Sequence, residues 1–116
     1  MRRWAALAIA LVAACAPGPS TGSSPSPSSS ATLFADTWTF DGKTWSQVNT
    51  PGPPARASAA MAFDAKHGVT VLFGGLSSSG LYDDTWTFDG RAWTEQHPAH
   101  HPGIRQGASM AFDPKS

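Results

Sequence analysis

The seven-residue stretch DTWTFDG occupies Asp36–Gly42 and recurs letter for letter at Asp84–Gly90. Trp45 and Trp93 keep the same offset of 48 residues, and eight of the thirteen positions that begin at the two aspartates are identical. A long identical copy at this spacing predicts a protein that is built from structural repeats.

One period of the repeat has the pattern of four short strands. Apolar and polar residues alternate over most of it, and small residues fill the first strand. We predict strands over 58–64, 69–73, 85–88 and 91–96. No helical period occurs after residue 32, so the predicted fold class is all-β.

Two glycine-containing pairs divide these strands. Gly74-Gly75 is expected to end the second strand of the period. Asp89-Gly90 predicts a two-residue hairpin turn, because glycine tolerates the positive φ of a type I′ turn.

The repeat resembles the kelch motif, in which a double glycine after an apolar strand precedes an aromatic strand and a tryptophan. Gly74-Gly75 supplies the double glycine, and Phe88 stands where the family often has tyrosine. Trp93 follows Phe88 by five residues, close to the family's spacing. The resemblance covers residues 33–116 and implies a partial β-propeller of four-stranded antiparallel blades.

Two arginines precede the first strands of successive blades. Arg56 and Arg105 each follow a proline by three residues, as in the Pro/Arg lead-in of the family. The resemblance implies structural hydrogen bonds between blades, and the alternative is an arginine that points into a ligand-binding face. Four tryptophans are interpreted as packing between blades, with a carbohydrate-stacking platform as the alternative: Trp38, Trp45, Trp86 and Trp93.

A second propeller motif competes with this interpretation. Thr39–Trp45 is similar to the sialidase-type Asp-box, Ser-x-Asp-x-Gly-x-Thr-Trp. However, Asp41 and Gly42 are adjacent here, which is one residue short of that motif, so the kelch interpretation is preferred.

The repeat region amounts to about 1.75 blades. The segment 33–48 supplies the last two strands of one blade, 56–96 a whole blade, and 105–113 the first strand of a third. Propellers typically need four to eight blades, so we expect the N-terminal piece of a longer protein. The alternative is a homo-oligomeric ring of several copies, which requires that the chain be complete.

The N-terminus has the pattern of an export signal. Arg2 and Arg3 precede an apolar run over 4–14, too short to span a bilayer. Leu11–Cys15 resembles a bacterial lipobox, which implies cleavage before Cys15 and a diacylglyceryl group on its sulfur. An ordinary signal peptide with an incidental cysteine is the alternative.

The chain therefore divides into a signal peptide over 1–14, a lipidated cysteine with a tether over 15–32, and the propeller segment over 33–116. The tether is rich in serine and proline and is expected to be disordered. Eight Lys/Arg balance eight Asp/Glu over the whole chain. This balance argues against a nucleic-acid partner, which would call for a concentrated basic face.

Residues with metal or catalytic chemistry are few. His97, His100 and His101 are weak metal candidates in a Pro/His-rich loop, which is interpreted as a solvated connection between blades. Asp83-Asp84 is interpreted as a capped turn before a strand, with a calcium site as the alternative. No catalytic residue and no cofactor is assigned.

We therefore expect a non-catalytic binding or interaction module, lipid-anchored on the extracytoplasmic face of a bacterial membrane, with an unknown protein or glycan ligand. Its binding surface is predicted on the loops 49–55, 76–83 and 97–104. One alternative is the start of a galactose oxidase-like or glycan-acting enzyme, although the tyrosine and cysteine pair of those copper enzymes would have to lie elsewhere. Another alternative is a non-functional truncated reading frame.

Overall fold

The structure, a computed structural model, describes residues 11–12 and 32–115. Cys15, the first ten residues and nearly all of the tether lie outside the described residues.

The described chain forms seven strands and no helix. The strands are β1 (Leu11–Val12), β2 (Thr37–Phe40), β3 (Trp45–Val48), β4 (Ala60–Asp64), β5 (Val69–Ser77), β6 (Gly80–Phe88) and β7 (Trp93–Gln96). Every pair of neighbouring strands is antiparallel, in a sheet of order β1-β2-β3 and a sheet of order β4-β5-β6-β7. The predicted all-β class is confirmed. Within the described ranges, no helix is long and apolar enough to cross a membrane.

The repeated sequence gives two equivalent hairpins, β2–β3 and β6–β7. Phe40 pairs with Trp45 and Phe88 with Trp93, with ring centroids 4.9 and 5.0 Å apart. The hairpins were predicted, but the two-residue turn is wrong, since four residues connect Phe88 to Trp93. Asp89 explains the longer loop, because its carboxylate accepts two backbone N–H groups inside the turn, at 2.8 and 2.9 Å.

The double glycine bends a strand that it was expected to end. β5 continues through Gly74 and Gly75 to Ser77, with a register shift between Phe73 and Gly75. Both glycines have positive φ, 68° and 111°, so they accommodate a β-bulge without ending the pairing. Consequently 76–83, predicted as a binding loop, lies almost entirely in the hairpin between β5 and β6.

The segment 105–113 is not a strand, contrary to the prediction. It is attached through three backbone hydrogen bonds, from Gly75 N to Arg105 O, from Arg105 N to Tyr82 O and from Gly107 N to Ser58 O. None of the described strands pairs with the rest of this segment, and a strand in a sheet requires a continuous ladder of hydrogen bonds to a neighbour.

The core lies where the two sheets meet. Leu72, Phe88 and Trp93 are buried together, and Val48 of β3 packs against them from the other sheet. Burial of these apolar side chains holds the β2–β3 hairpin against the four-stranded sheet.

Candidate functional site

Arg56 lies at the centre of the best-defined polar network. Its side chain is 1% exposed, and its Nη1 and Nη2 donate to the two carboxylate oxygens of Asp84 at 2.6 and 2.7 Å. Nη1 also donates to Gly74 O at 2.8 Å, and Nε donates to Pro54 O at 3.1 Å. The guanidinium stacks over the ring of Tyr82, 4.1 Å from its centroid. Arg56 therefore ties the segment before β4 to β5 and β6.

The carboxylate of Asp84 is held in its charged form. Burial alone would raise the pKa of Asp84, but hydrogen bonds from Arg56 and Trp86, together with the charge of Arg56, outweigh burial and lower it. Trp86 Nε1 donates to Asp84 Oδ2 at 2.7 Å. The guanidinium of Arg56 makes four hydrogen bonds, two of them to this carboxylate, so the network is a structural support.

The same aspartate–tryptophan pair occurs in the first repeat without an arginine. Trp38 Nε1 donates to Asp36 Oδ2 at 2.6 Å. The other oxygen, Asp36 Oδ1, is buried and has no hydrogen-bond partner among the described residues. Asp36 thus accepts the tryptophan hydrogen bond that Asp84 also accepts, but it lacks the hydrogen bonds from an arginine.

The two equivalent hairpin tryptophans differ in what covers them. Trp93 is 7% exposed, and its Nε1 donates to Thr37 Oγ1 of the other sheet at 2.8 Å. Trp45 is 50% exposed. Trp93 is covered because the β2–β3 hairpin and Gly52 pack on it, and the indole lies so close to Gly52 that a Cβ there would come within 2.7 Å of it.

Arg105 repeats the local geometry of Arg56 at the surface. Its Nε donates to the carbonyl of Gly103, two residues earlier, at 3.0 Å, as Arg56 donates to Pro54. Arg105 is exposed, and in the described part of the chain it forms no ion pair. The kelch resemblance implied hydrogen bonds between blades, whereas the partners of Arg56 all belong to one sheet and its lead-in.

A polar cleft of about 190 Å³ lies beside strands β6 and β7. Its charged and polar lining comes from the middle of β6, the end of β7 and the following loop. The lining includes the side chains of Asp83, Glu95, Gln96, His97 and His101. Two of the three segments predicted to bind contribute to it, 76–83 through Asp83 and 97–104 through His97 and His101. A more apolar cleft of about 340 Å³ lies between β4 and the segment 110–113.

The three histidine candidates are not gathered into a metal site. His97 and His101 line the polar cleft, whereas His100 does not. His101 Nδ1 lies 3.9 Å from Asp83 Oδ2 and 3.0 Å from the carbonyl oxygen of Pro102. Over residues 32–115, no group of three or more His, Cys, Asp or Glu side chains is arranged to hold a metal ion.

Sequence reasoning missed the role of Asp84. The Asp83-Asp84 pair was interpreted as a turn, but both residues lie inside β6, and Asp84 binds an arginine 28 positions away. The signal was present in the repeat, since Asp36 and Asp84 both precede a tryptophan by two residues and both accept its indole N–H.

Comparisons with known proteins give no family assignment. No protein-family model matches the chain, and no curated protein matches it significantly.

Proposed function

We propose that this protein is a lipid-anchored, extracytoplasmic binding module of partial kelch-type propeller architecture, non-catalytic in this chain, and that it binds a glycan in the polar cleft beside β6 and β7. The proposal has three parts, the anchor, the architecture and the ligand, and each rests on different residues.

The anchor is supported by the N-terminal sequence. The basic pair Arg2-Arg3, the apolar run and Cys15 follow one another at the spacing of a lipoprotein signal. Two acyl chains on Cys15 would hold the protein stably at a membrane, whereas one chain gives only marginal binding.

The propeller architecture is supported by contacts that recur at the repeat spacing. Asp36–Trp38 and Asp84–Trp86 are equivalent hydrogen bonds, and the tilted ring pairs of the two hairpins are nearly superimposable in spacing. The four-stranded antiparallel order β4-β5-β6-β7 is the order that a kelch blade would have.

The polar cleft is the single observation that supports a glycan as the ligand. It brings the carboxylates of Asp83 and Glu95 and the amide of Gln96 next to two imidazoles. Carboxylates accept and amides both donate and accept hydrogen bonds, which suits a ligand rich in hydroxyl groups. The adjoining Arg56–Asp84 network fixes β6, so the cleft wall is preorganised.

The anchor is tested by labelling. Cells that express the full chain are grown with radiolabelled palmitate, and the label is compared between the native protein and Cys15→Ser. We expect the substitution to abolish labelling and to release the protein from the membrane fraction. Unchanged labelling would refute the anchor.

The ligand is tested on a glycan array. We expect the full chain to bind selectively, and Glu95→Gln to weaken binding about tenfold or more, since a lost charged hydrogen bond costs about 1.5–3 kcal/mol. Lys43→Gln, an exposed change in the β2–β3 turn, is the control. Capture of a protein instead of a glycan, or copper-dependent turnover by the chain, would contradict the proposal.

A further inference from the structure

Two contacts, one within the four-stranded sheet and its lead-in and one between the two sheets, are each made once among the described residues. The first is the ion pair between Arg56 and Asp84, and the second is the hydrogen bond from Trp93 Nε1 to Thr37 Oγ1. The repeat spacing supplies a second set of the same four side chains: Arg105, Asp36, Trp45 and Thr85. Among the described residues, none of these four side chains forms the contact that its equivalent in the other repeat forms.

Asp36 is the acceptor equivalent to Asp84 in the ion pair that is not formed. Its Oδ2 binds Trp38, and its Oδ1 is enclosed without a partner. An enclosed acceptor without a hydrogen bond is destabilising. At Asp84 the equivalent oxygens receive a bidentate guanidinium, so the chemistry that satisfies Asp36 is an arginine.

Arg105 is the donor equivalent to Arg56 in the same unformed ion pair. Its Nε donates to Gly103 O, two residues earlier, as the Nε of Arg56 donates to Pro54 O. Its two terminal nitrogens form no ion pair in the described chain. The arginine is therefore prearranged for a carboxylate that it does not reach within its own molecule.

Trp45 and Thr85, the equivalents of Trp93 and Thr37, also lack the contact that those two residues form. Trp45 is half exposed, and its indole N–H has no hydrogen-bond partner among the described residues. Thr85 stands in the second hairpin where Thr37 stands in the first, and its hydroxyl is likewise unpaired in the part of the chain that the structure describes. At the completed contact, the hydrogen bond to Thr37 accompanies packing by the β2–β3 hairpin and Gly52, and the tryptophan is 7% exposed.

The two missing contacts require one and the same placement of a partner. Within the chain, Thr37 lies on the first sheet, Arg56 follows it in sequence, and both bind the four-stranded sheet through Trp93 and Asp84. Thr85 and Arg105 of one molecule stand at the equivalent positions of the repeat in the sequence. A β2–β3 hairpin set against them would bring up Trp45 and Asp36 together.

We propose that a second copy of this chain docks head-to-tail, with its Asp36 bound to Arg105 and its Trp45 packed on Thr85 of the first copy. The opposed charges of Arg105 and Asp36 and the half-exposed indole of Trp45 favour a second copy as the occupant, because the chain holds both halves of each contact. The interface is heterologous, so repeated docking gives a closed ring or an open chain of molecules. This association goes beyond the proposed function and does not depend on the lipid anchor.

The charge contact is tested by sedimentation of the full chain carrying Cys15→Ser. We expect the mean mass to rise with concentration, and Arg105→Glu to weaken association about 30-fold or more, because the reversal replaces an attraction to Asp36 with a repulsion. Arg91→Glu, an equally exposed reversal in the β6–β7 turn, is the control. Both arginines are at the surface, so neither change threatens folding.

The apolar contact is tested by cross-linking between two chains. A Trp45→Cys chain is mixed with a Thr85→Cys chain, both in the Cys15→Ser background, and joined with a short bis-maleimide. We expect a cross-linked pair of unlike chains, and much less product when Thr94→Cys replaces Thr85→Cys. A monomer at every concentration, equal effects of the two arginine variants, or equal cross-linking at residues 85 and 94 would overturn the proposal.

Discussion

Arg56 and Asp84 are joined by two parallel hydrogen bonds, of 2.6 and 2.7 Å, which tie the segment before β4 to the third strand of its sheet. A bidentate pair of this kind fixes orientation as well as distance. Asp84→Asn would leave the buried guanidinium without its counter-charge. We expect it to lower the free energy of unfolding by about 2 kcal/mol or more, measured by urea denaturation. Asp83→Asn, at the exposed neighbouring position, should change it by less than about 0.5 kcal/mol, and equal losses would contradict this role for Asp84.

The same pair predicts an acid dependence of stability. The pKa of Asp84 is lower in the folded protein than its ordinary value, because hydrogen bonds from Arg56 and Trp86 and the charge of Arg56 outweigh the opposing effect of burial. The stabilisation is therefore complete above about pH 4, the ordinary range of an aspartate, and is lost as the pH falls through the folded-state pKa. Urea midpoints at pH 7 and pH 3 should differ more for the native chain than for Asp84→Asn. Exposed aspartates such as Asp41 and Asp89 titrate in both proteins, so a difference of the same size in both would exclude Asp84 as its source.

The hydrogen bond from Trp93 to Thr37 predicts a cost for losing a hydroxyl. Thr37→Val keeps the shape of the side chain but leaves the buried indole N–H without an acceptor. We expect a loss of about 1–3 kcal/mol in the free energy of unfolding. Thr94→Val, on the exposed side of β7, is the matched control and should have little effect. A Thr37→Val protein as stable as the control would mean that the sheets are held by apolar packing alone.

The bulge in β5 predicts a strong difference in the effect of alanine between two glycines with positive φ. A Cβ on Gly74 would lie 2.6 Å from the carbonyl oxygen of Arg105, whereas a Cβ on Gly90 would meet nothing within 4 Å. Both positions have positive φ, so alanine at either is strained by about 1–3 kcal/mol. Only Gly74→Ala adds a backbone clash, and thermal unfolding should show the lower midpoint for it. Equal midpoints would indicate that the segment around Arg105 moves away freely.

The strand pattern followed from the sequence because each repeated residue meets the same local neighbours. The pairs Phe40–Trp45 and Phe88–Trp93 follow directly from the copied stretch and its turn. The length of β5 did not follow, because two glycines fit either a strand end or a bulge, and Arg105 selects the bulge from a distant segment. The pairing of Arg56 with Asp84 also needed the fold, since only the β4–β5–β6 register brings residues 28 positions apart together.

The short strand β1 bears on the order of events during biosynthesis. Leu11 and Val12 pair with Trp38 and Thr37 in the register that Leu72 and Phe73 use with Trp86 and Thr85. They also belong to the segment proposed to direct export and to be removed before Cys15. If this segment directs export, its pairing in the sheet would withhold it from the translocation machinery, and threading across the membrane would have to outpace folding. Removal of the segment would then free the edge of β2.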